Sequence, residues 1–453
     1  MARELKKDYK NMGWWQSYQR DIMVEYRQSI EEGLDIEAYK ELFEVGAKLP
    51  EGDVREDVAD AVFKLVYNAP VKEGYKYNEP SDLESIKALR EKFKVAKRKI
   101  GKRELEKKIH GAWMGRVVGC LLGKPVEGIW TDELHKILKS SDNYPMHRYI
   151  YSTDITEEMR STFRFRLRRD WWADTVSFMP YDDDTNYTVM GKIIIDWFGR
   201  GFTPVQVADA WLKLQPKESY CTAERIAYMN FLKGYMPPYS ASYKNPFREW
   251  IGAQIRADYY GYINPGNPEE AARMAFNDAC ISHIKNGIYG EMMVAAMIAA
   301  AAGCDDMEDI ILSGLGQIPK TSRLYEDVMS VLTMYRAGKT KEECYAYIHE
   351  KWDERDGHHW CHTNSNAMIV AYALLYGEND FGKSVCLAVE SAFDTDCNGA
   401  TVGSIIGMKN GIDSIDEYWQ KPLNNKIETT LIGVGTVKIT DMVKKTMEHI
   451  SKK

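Results

Sequence analysis

Residues 110–128 read HGAWMGRVVGCLLGKPVEG, and glycine recurs in this stretch at every fourth position, as Gly111, Gly115, Gly119 and Gly123. Residues four apart lie on the same face of an α-helix. This glycine ladder therefore predicts a helix with one stripe free of side chains, which a second helix can approach unusually closely. Proline does not continue a helix, so we expect the helix to stop at Pro125 and to present Glu127 on the following loop. An acid on a loop held by a rigid helix is a candidate for catalysis or gating.

The sequence on both sides of this segment is also helical, because apolar residues recur at the helical period and strand alternation is largely missing. The chain is therefore predicted to be all-α. The predicted helices cover residues 13–31, 35–47, 55–66, 83–97, 105–122, 186–197, 204–214, 268–280, 290–302, 326–337, 341–351, 365–376, 382–390 and 398–410. A polar stretch with two prolines, residues 68–82, separates two helical blocks. We expect an N-terminal helical extension over residues 1–100, with a linker near 68–82, and one large helical domain over residues 101–453.

The composition excludes several classes of protein. The chain has 453 residues, 44% hydrophobic and 28% charged, as in soluble globular proteins. Its net charge of −7 gives no reason to expect binding to nucleic acid or to an anionic membrane. The longest apolar stretch, residues 292–303, is shorter than the ~20 residues that span a bilayer. Because the N-terminus has no apolar signal core and the eight cysteines form no CxxC pair, we expect a cytoplasmic protein with reduced thiols.

Two acidic clusters stand at predicted helix starts. Asp182, Asp183 and Asp184 precede one apolar helix, and Asp394 and Asp396 precede another. One aspartate at a helix N-terminus can be a simple cap, which is the alternative interpretation of each cluster. Three consecutive carboxylates repel one another unless a cation compensates them. Together the clusters supply the oxygen ligands that Mg²⁺ or Mn²⁺ prefers, and they predict two divalent cations about 3.5–4 Å apart.

These motifs resemble those of the ADP-ribosylglycohydrolase family. Three segments carry the resemblance in the family's order. The motif G-x-x-x-G-x-x-x-G-x-x-x-E is present at residues 115–127. The family's T-D-D-T is matched by DDDT at residues 182–185, and its G-G-D-T-D-T by AFDTDC at residues 392–397, which a small-residue helix follows. A weaker match is the family's single histidine before a helix, here His283. The resemblance runs from about residue 105 to about residue 441 and leaves residues 1–100 uncovered.

The resemblance implies a compact orthogonal bundle of more than ten helices with two Mg²⁺ or Mn²⁺ ions at its centre. Asp183, Asp184, Asp394 and Asp396 match metal ligands of the family. Asp182 and Cys397 match threonines whose hydroxyl groups bind metal, and we include both in the predicted ligand set.

The resemblance also implies roles at the substrate. Glu127 matches a loop acid that approaches a metal and gates the substrate, and His283 matches a residue near the substrate's phosphates or ribose. Asn398 and Gly399, which follow the last motif, are assigned to substrate binding with them. For proton transfer the candidates are Glu127 and the carboxylates of Asp183 and Asp184.

Four positions depart from the family pattern. Asp182 in place of threonine adds a charge, and Cys397 in place of threonine removes a hard oxygen ligand. A thiolate would favour a softer ion such as Zn²⁺, unless Cys397 does not coordinate. Cys120 stands where the family has aspartate, and Phe393 where it has glycine. These departures are compatible with a metal site, but they leave the identity of the substrate open.

The activity that the resemblance implies is hydrolysis of a glycosidic bond at the anomeric carbon of ribose. Two cations could hold the sugar's vicinal hydroxyls and make a water nucleophilic near neutral pH, while carboxylates stabilise an oxocarbenium-like transition state. The expected substrate is a small-molecule glycoside or an ADP-ribosylated molecule. The alternatives are a hydrolase of the same fold acting on another sugar or nucleoside, and a non-catalytic ligand-binding or structural protein.

Five further segments carry weaker predictions. Residues 142–181 and 234–266, rich in Tyr, Trp, Pro and Arg, are predicted to be long loops that reshape the pocket. Residues 358–362, HHWCH, fit no usual zinc spacing and are predicted to pack at a helix start capped by Asn364 or Ser365. The basic run over residues 94–108 is expected to be a solvated helix face. Trp14 and Trp15 could mediate oligomerisation through the N-terminal extension, or could pack on the core.

Overall fold

A computed structural model describes residues 7–95, 97–164, 167 and 170–452, and most of these residues are helical. Four α-helices lie in the N-terminal part: α1 (Ile22–Glu31), α2 (Lys40–Lys48), α3 (Asp53–Asn68) and α4 (Leu83–Ala88). The α-helices that follow are α5 (Lys102–Gly123), α6 (Thr131–Ser140), α7 (Glu157–Thr162), α8 (Asp183–Phe198), α9 (Pro204–Leu214), α10 (Thr222–Leu232), α11 (Asp258–Tyr262), α12 (Pro268–Ala279), α13 (Lys285–Ala301), α14 (Met307–Leu315), α15 (Arg323–Arg336), α16 (Lys341–Lys351), α17 (Gly357–Trp360), α18 (Thr363–Tyr376), α19 (Phe381–Glu390), α20 (Thr395–Asn410), α21 (Glu417–Gln420) and α22 (Ile439–Ser451).

Short elements complete the described structure. The 3₁₀ helices are Tyr9–Asn11, Tyr18–Arg20, Glu37–Tyr39, Lys124–Val126, Ser152–Asp154, Lys217–Ser219, Tyr239–Ala241, Gln254–Arg256, Ile412–Ser414 and Lys421–Leu423. One small antiparallel sheet pairs β1 (Lys426–Ile427) with β2 (Val437–Lys438). The all-α prediction is therefore confirmed, and α9 and α16 have the predicted bounds. Among the described residues, no helix combines the length and the apolar character that crossing a bilayer requires.

The helix pair α5 and α20 forms the axis of the fold. Cβ atoms built on Gly111, Gly115 and Gly119 would each fall under 3.0 Å from a carbonyl oxygen of α20, at Gly407, Gly403 and Gly399 respectively. The two helices are antiparallel, since rising numbers on α5 meet falling numbers on α20. The predicted close approach of a second helix is confirmed, and that helix carries a glycine ladder of its own. At the end of the contact Gly123 faces the backbone of Thr395, which places the start of α20 beside the end of α5.

Two predicted helices are much shorter than expected. The helix predicted over 83–97 ends at Ala88, because Arg90 forms an isolated bridge with Pro319 and the Arg98 amide donates to the Gly303 carbonyl. The basic run over 94–108 is therefore not one helix face: α5 begins only at Lys102, and residue 96 lies outside the described residues. The helix predicted over 13–31 begins only at Ile22, because the Arg20 guanidinium donates to the carbonyls of Tyr9 and Met12 and holds the preceding segment in turns.

The two predicted long loops contain only short helices, as expected, but one of them is not on the surface. Residues 245–264 are buried throughout, and they include α11 and the 3₁₀ helix Gln254–Arg256. These helical turns satisfy the backbone, which is what permits the burial. In the other loop, residues 165, 166, 168 and 169 lie outside the described residues.

The N-terminal extension has a small hydrophobic core of its own. Its buried apolar side chains form a cluster separate from the main core: Ile22, Ile36, Phe43, Ala59, Val62 and Val66. The extension is joined to the rest of the chain by buried ion pairs. Arg248 contacts Glu25 at 2.7 Å and Glu32 at 2.6 Å, and Arg323 contacts Glu79, in the predicted linker, at 2.8 Å. Of the two tryptophans suggested for oligomerisation, Trp14 is exposed while Trp15 packs partly buried on the main core.

Candidate metal centre and active site

The two acidic clusters begin α8 and α20. Asp182 is the N-cap of α8, and its carboxylate accepts a hydrogen bond from the Asp184 amide at 2.9 Å. Asp394 holds the N-cap position of α20 without making a side-chain cap bond, and Asp396 lies in the first turn. Capping therefore accounts for Asp182 and leaves the other carboxylates unexplained. Asp182, Asp184, Asp394 and Asp396 are buried, and Asp183 is partly buried.

The fold brings the two clusters together in two groups of potential ligands. Oxygen or sulfur atoms of Cys120, Asp182, Asp184 and Asp396 lie within 4.8 Å of one another, and those of Asp394, Asp396 and Cys397 do so as well. Asp396 belongs to both groups. The α5–α20 contact is what positions them, because it fixes the start of α20 against the helix end that precedes Glu127.

The residues of this centre fit a divalent cation. Asp184 Oδ2 and Asp394 Oδ1 are buried and have no hydrogen-bond partner. Burial, followed by the charge of neighbouring carboxylates, raises the pKa values of Asp183 and Asp396 well above their usual range. The pKa of Asp184 is also raised by burial, although the Arg116 guanidinium opposes this effect. Buried carboxylate oxygens without partners are costly unless a cation or proton compensates them. An oxygen-rich donor set of this kind is suited to Mg²⁺ or Mn²⁺.

Two buried cations also reach the centre, Arg116 on α5 and Lys124 directly after this helix. Lys124 Nζ lies 2.6 Å from Asp182 Oδ2 and 4.0 Å from the centroid of the Trp171 ring. Arg116 donates to Asp184 Oδ1 at 2.8 Å and pairs with Asp258 at 3.0 Å. Although burial acts to raise it, the Lys124 ammonium holds the pKa of Asp182 below its usual range.

Arg116 and Lys124 were not identified from the sequence. With Cys120 they recur every four residues, each directly after a ladder glycine. Arg116 and Cys120 therefore lie on the stripe of α5 next to the one that touches α20, and Lys124 continues this spacing directly after the helix. The four-residue spacing is the signal in the sequence that could have identified them.

Further side chains fix the start of α20. Asn366 Oδ1, on α18, accepts hydrogen bonds from the Asp394 amide at 3.2 Å and from Asn398 Nδ2 at 2.8 Å. The Cys361 thiol donates to Asp394 Oδ2 at 3.7 Å. No motif in the sequence points to Asn366, and Cys361 was considered only as part of the segment 358–362. Cys397 is buried, and burial together with the nearby carboxylates raises the pKa of its thiol well above the usual range.

The residues predicted to contact substrate lie in different surroundings. Glu127 is exposed on the loop after the 3₁₀ helix Lys124–Val126, and its charge acts on Asp183 and Asp396. α5 ends at Gly123, two residues before Pro125, in agreement with the predicted stop. Gly399 is buried against Gly119, so its position is accounted for by helix packing. The role of Asn398 stays a prediction.

His283 lies in the core. It is fully buried, and its Nδ1 lies 2.8 Å from Ser282 Oγ, while Nε2 has no hydrogen-bond partner. Burial, and then the Arg256 charge, lowers the pKa of His283 well below its usual range. These contacts do not bring His283 to the acidic clusters, and its role near a substrate stays a prediction.

The histidine segment 358–362 meets Glu31 of the N-terminal extension. Ligand-type atoms of Glu31, His358 and His362 lie within 4.8 Å of one another, which resembles a metal site. However, His358 Nδ1 accepts from the Trp250 indole at 3.0 Å, and His362 Nδ1 accepts from the Asn364 amide at 3.1 Å. A neutral imidazole with an accepting Nδ1 carries its proton on Nε2 and cannot bind a metal through that atom. His358 Nε2 donates to Glu31 Oε2 at 3.3 Å, whereas His362 Nε2 has no hydrogen-bond partner. The cap of α18 is His362 itself, and the prediction of Asn364 or Ser365 as the cap was wrong.

The residues before Asp394 adopt an unusual backbone conformation. Ala392 and Phe393 have φ values of 55° and 54°. Glycine adopts this left-handed region freely, whereas other residues do so at a cost. The position matches the glycine pair of the family motif, which gives a conformational reason for glycine there. The Phe393 side chain is fully buried and its ring lies 5.1 Å from that of His349.

Fold and site together define an all-α protein with a buried carboxylate centre suited to a divalent cation. The model of the ADP-ribosylglycohydrolase family matches residues 102–450, and the chain belongs to this family. A solved structure described as an ADP-ribosylglycohydrolase-related protein complex is 17% identical, with a TM-score of 0.45, over 77% of this chain and 99% of that chain. A comparison with curated proteins finds no match. The family is one of glycohydrolases, which supports an enzyme of the hydrolase type.

Proposed function

We propose that the chain is a divalent-cation-dependent glycoside hydrolase that cleaves a glycosidic bond to ribose or to an ADP-ribosyl group. One observation carries the proposal: carboxylates from the starts of α8 and α20 converge on a buried centre in which Asp184 Oδ2 and Asp394 Oδ1 have no hydrogen-bond partner. Family membership adds the class of reaction. The unpaired cysteines and the lack of a spanning helix among the described residues are in keeping with action in a reducing cytoplasm.

The two groups that share Asp396 provide two positions at which Mg²⁺ or Mn²⁺ could be held. One is formed by Asp182 and Asp184 with Asp396, and the other by Asp394 and Asp396 beside Cys397. A cation bound there would supply positive charge for orienting the sugar hydroxyls and for making a water more acidic. The carboxylates that remain stabilise positive charge at the anomeric carbon.

Proton transfer is assigned to Asp183 or Glu127. Asp183 is the least buried aspartate of its cluster, and burial and its acidic neighbours raise its pKa, which favours the protonated form that a donor to the leaving group needs. Glu127 is exposed on a loop and can reach a substrate that enters from solvent. Glu127→Gln and Asp183→Asn would each lower kcat, and the variant that loses the alkaline limb of the pH–rate profile identifies the proton donor, because a general acid stops working when it is deprotonated.

The test is hydrolysis of an ADP-ribosylated substrate by the purified protein in Mn²⁺, repeated after chelation. Asp394→Asn and Asp396→Asn should abolish metal-dependent turnover while the circular dichroism spectrum stays that of the wild type. The matched control is Asp380→Asn, which makes the same change at the N-cap of α19, where Asp380 accepts from the Lys383 amide at 2.8 Å. Full activity in Asp394→Asn, or activity that survives chelation, would contradict the proposal.

A further inference from the structure

Lys124 contacts the first ligand group, which consists of Cys120, Asp182, Asp184 and Asp396. Its Nζ atom lies 2.6 Å from Asp182 Oδ2, and only 5% of its side chain is exposed. The Trp171 ring, 4.0 Å from Nζ, covers the ammonium from another side. A carboxylate on one side and an aromatic face on the other hold a buried ammonium firmly in position.

Asp184, the other aspartate that belongs to the first group alone, already has one carboxylate oxygen in a hydrogen bond. Arg116 donates to Asp184 Oδ1, which leaves only Oδ2 of that carboxylate without a partner. Among the residues that the structure describes, no lysine or arginine forms an ion pair with Asp394 or Asp396: Asp394 Oδ1 is unpartnered, and the contacts of Asp394 Oδ2 and the Asp396 carboxylate include the Cys361 thiol and the Cys397 amide. The ion pairs that Lys124 and Arg116 form with carboxylates of the centre therefore lie at the first of the two ligand groups.

We propose that Lys124 takes the place of one of two cations, so that the centre holds a single divalent ion on the side of Asp394 and Asp396. The inference rests on the proposed function, since it presumes that the centre binds metal. A fixed ammonium repels a divalent ion at the adjacent position and already occupies an Asp182 oxygen that such an ion would need. The Lys124 ammonium therefore supplies positive charge at the position where a second ion would otherwise supply it.

The experiment measures the number of Mn²⁺ ions bound per chain. Wild-type protein, Lys124→Met and Lys108→Met are each dialysed against Mn²⁺, and bound metal is measured by elemental analysis and by isothermal titration. Lys108 is a suitable control because it is a buried lysine on the same helix, hydrogen-bonded to carbonyls of α20 outside the acidic centre. We expect about one ion in the wild type and in Lys108→Met, and about two in Lys124→Met. Electron paramagnetic resonance should show an isolated Mn²⁺ signal in the wild type and a spin-coupled pair in Lys124→Met.

Two ions bound to the wild type would overturn this inference and leave the proposed function standing. One ion in a folded Lys124→Met would also overturn it, because Lys124 would then not exclude the second ion. If Lys124→Met fails to fold, the wild-type stoichiometry and its resonance spectrum decide alone. No Mn²⁺ in any of the three proteins would overturn the metal centre of the proposed function, and this inference with it.

Discussion

Gly119 of α5 and Gly399 of α20 meet backbone to backbone: a Cβ atom on either residue would fall under 3.0 Å from the carbonyl oxygen of the other. The contact is reciprocal and lies next to the acidic centre, since Asp396 and Cys397 directly precede this turn of α20. Any side chain here must separate the two helices, because a backbone carbonyl cannot move aside as a flexible side chain can. Separation would also displace the carboxylates that begin α20.

The first prediction follows from this contact. Gly119→Ala should destabilise the protein at the upper end of the range of about 1–3 kcal/mol that overpacking costs. The measurement is the urea midpoint followed by circular dichroism. Gly201→Ala is the control, because a Cβ at this exposed glycine has nothing within 4 Å, and we expect a change within about 0.5 kcal/mol. Equal midpoints for Gly119→Ala and the wild type would show that the helices are not this close.

A second prediction concerns the junction with the N-terminal extension. Arg248→Met should destabilise the protein by about 3–5 kcal/mol, because it leaves the buried carboxylates of Glu25 and Glu32 without their shared guanidinium. Urea denaturation measures the loss, and limited proteolysis should cleave the extension faster. Lys213→Met removes an exposed ion pair with Asp209 and should cost no more than about 0.5 kcal/mol. Similar losses in both variants would mean that burial of the Arg248 pairs contributes nothing.

The sequence predicted features that are local and periodic. The ladder on α5 predicted a helix with a stripe free of side chains, and the structure has this helix. Pro125 predicted the end of the helix shortly before Glu127, and α5 ends there, at Gly123. The paired acidic clusters could be recognised because each begins an apolar helix. That α20 is the helix packed against the ladder could be seen only in the fold, although Gly399, Gly403 and Gly407 repeat the same spacing.

Features that depend on distant partners were missed. Nothing near Lys124 in the sequence shows that its ammonium reaches Asp182, and nothing near Glu31 shows that it faces His358 and His362. The helix predicted over 83–97 ends at Ala88 for a related reason. Its composition suits a helix, but the bridge between Arg90 and Pro319 extends the backbone, and helical periodicity carries no information on such a contact.

A third prediction concerns pH. Burial lowers the pKa of His349 to about 4 from the ordinary value of 6.5. Between these two values the unfolded chain binds a proton at this residue and the folded chain does not, so the free energy of unfolding falls as the pH drops through this window. We expect His349 to account for a loss of about 2 kcal/mol between pH 7.5 and pH 5.

The measurement compares urea midpoints of the wild type and His349→Gln at both pH values. Other buried histidines, such as His283 and His358, have pKa values lowered by burial and add to the wild-type loss, so the difference between the two proteins isolates His349. His147→Gln, a change at an exposed histidine, should keep the wild-type pH dependence. An unchanged pH dependence in His349→Gln would refute the assignment.

The last prediction concerns the ion that the centre prefers. Cys397 shares a ligand group with Asp394 and Asp396, at a position where the family has a threonine hydroxyl. Sulfur favours softer ions such as Zn²⁺, whereas a hydroxyl favours Mg²⁺ and Mn²⁺. Cys397→Thr should therefore shift the ratio of Mg²⁺ to Zn²⁺ affinity in favour of Mg²⁺ by about tenfold, or roughly 1.4 kcal/mol. Titration calorimetry with each ion measures the two affinities. Cys386→Ser, in a buried cysteine of α19 outside both ligand groups, is the control and should leave the ratio unchanged. If Cys397→Thr also leaves the ratio unchanged, the Cys397 side chain does not contact the ion.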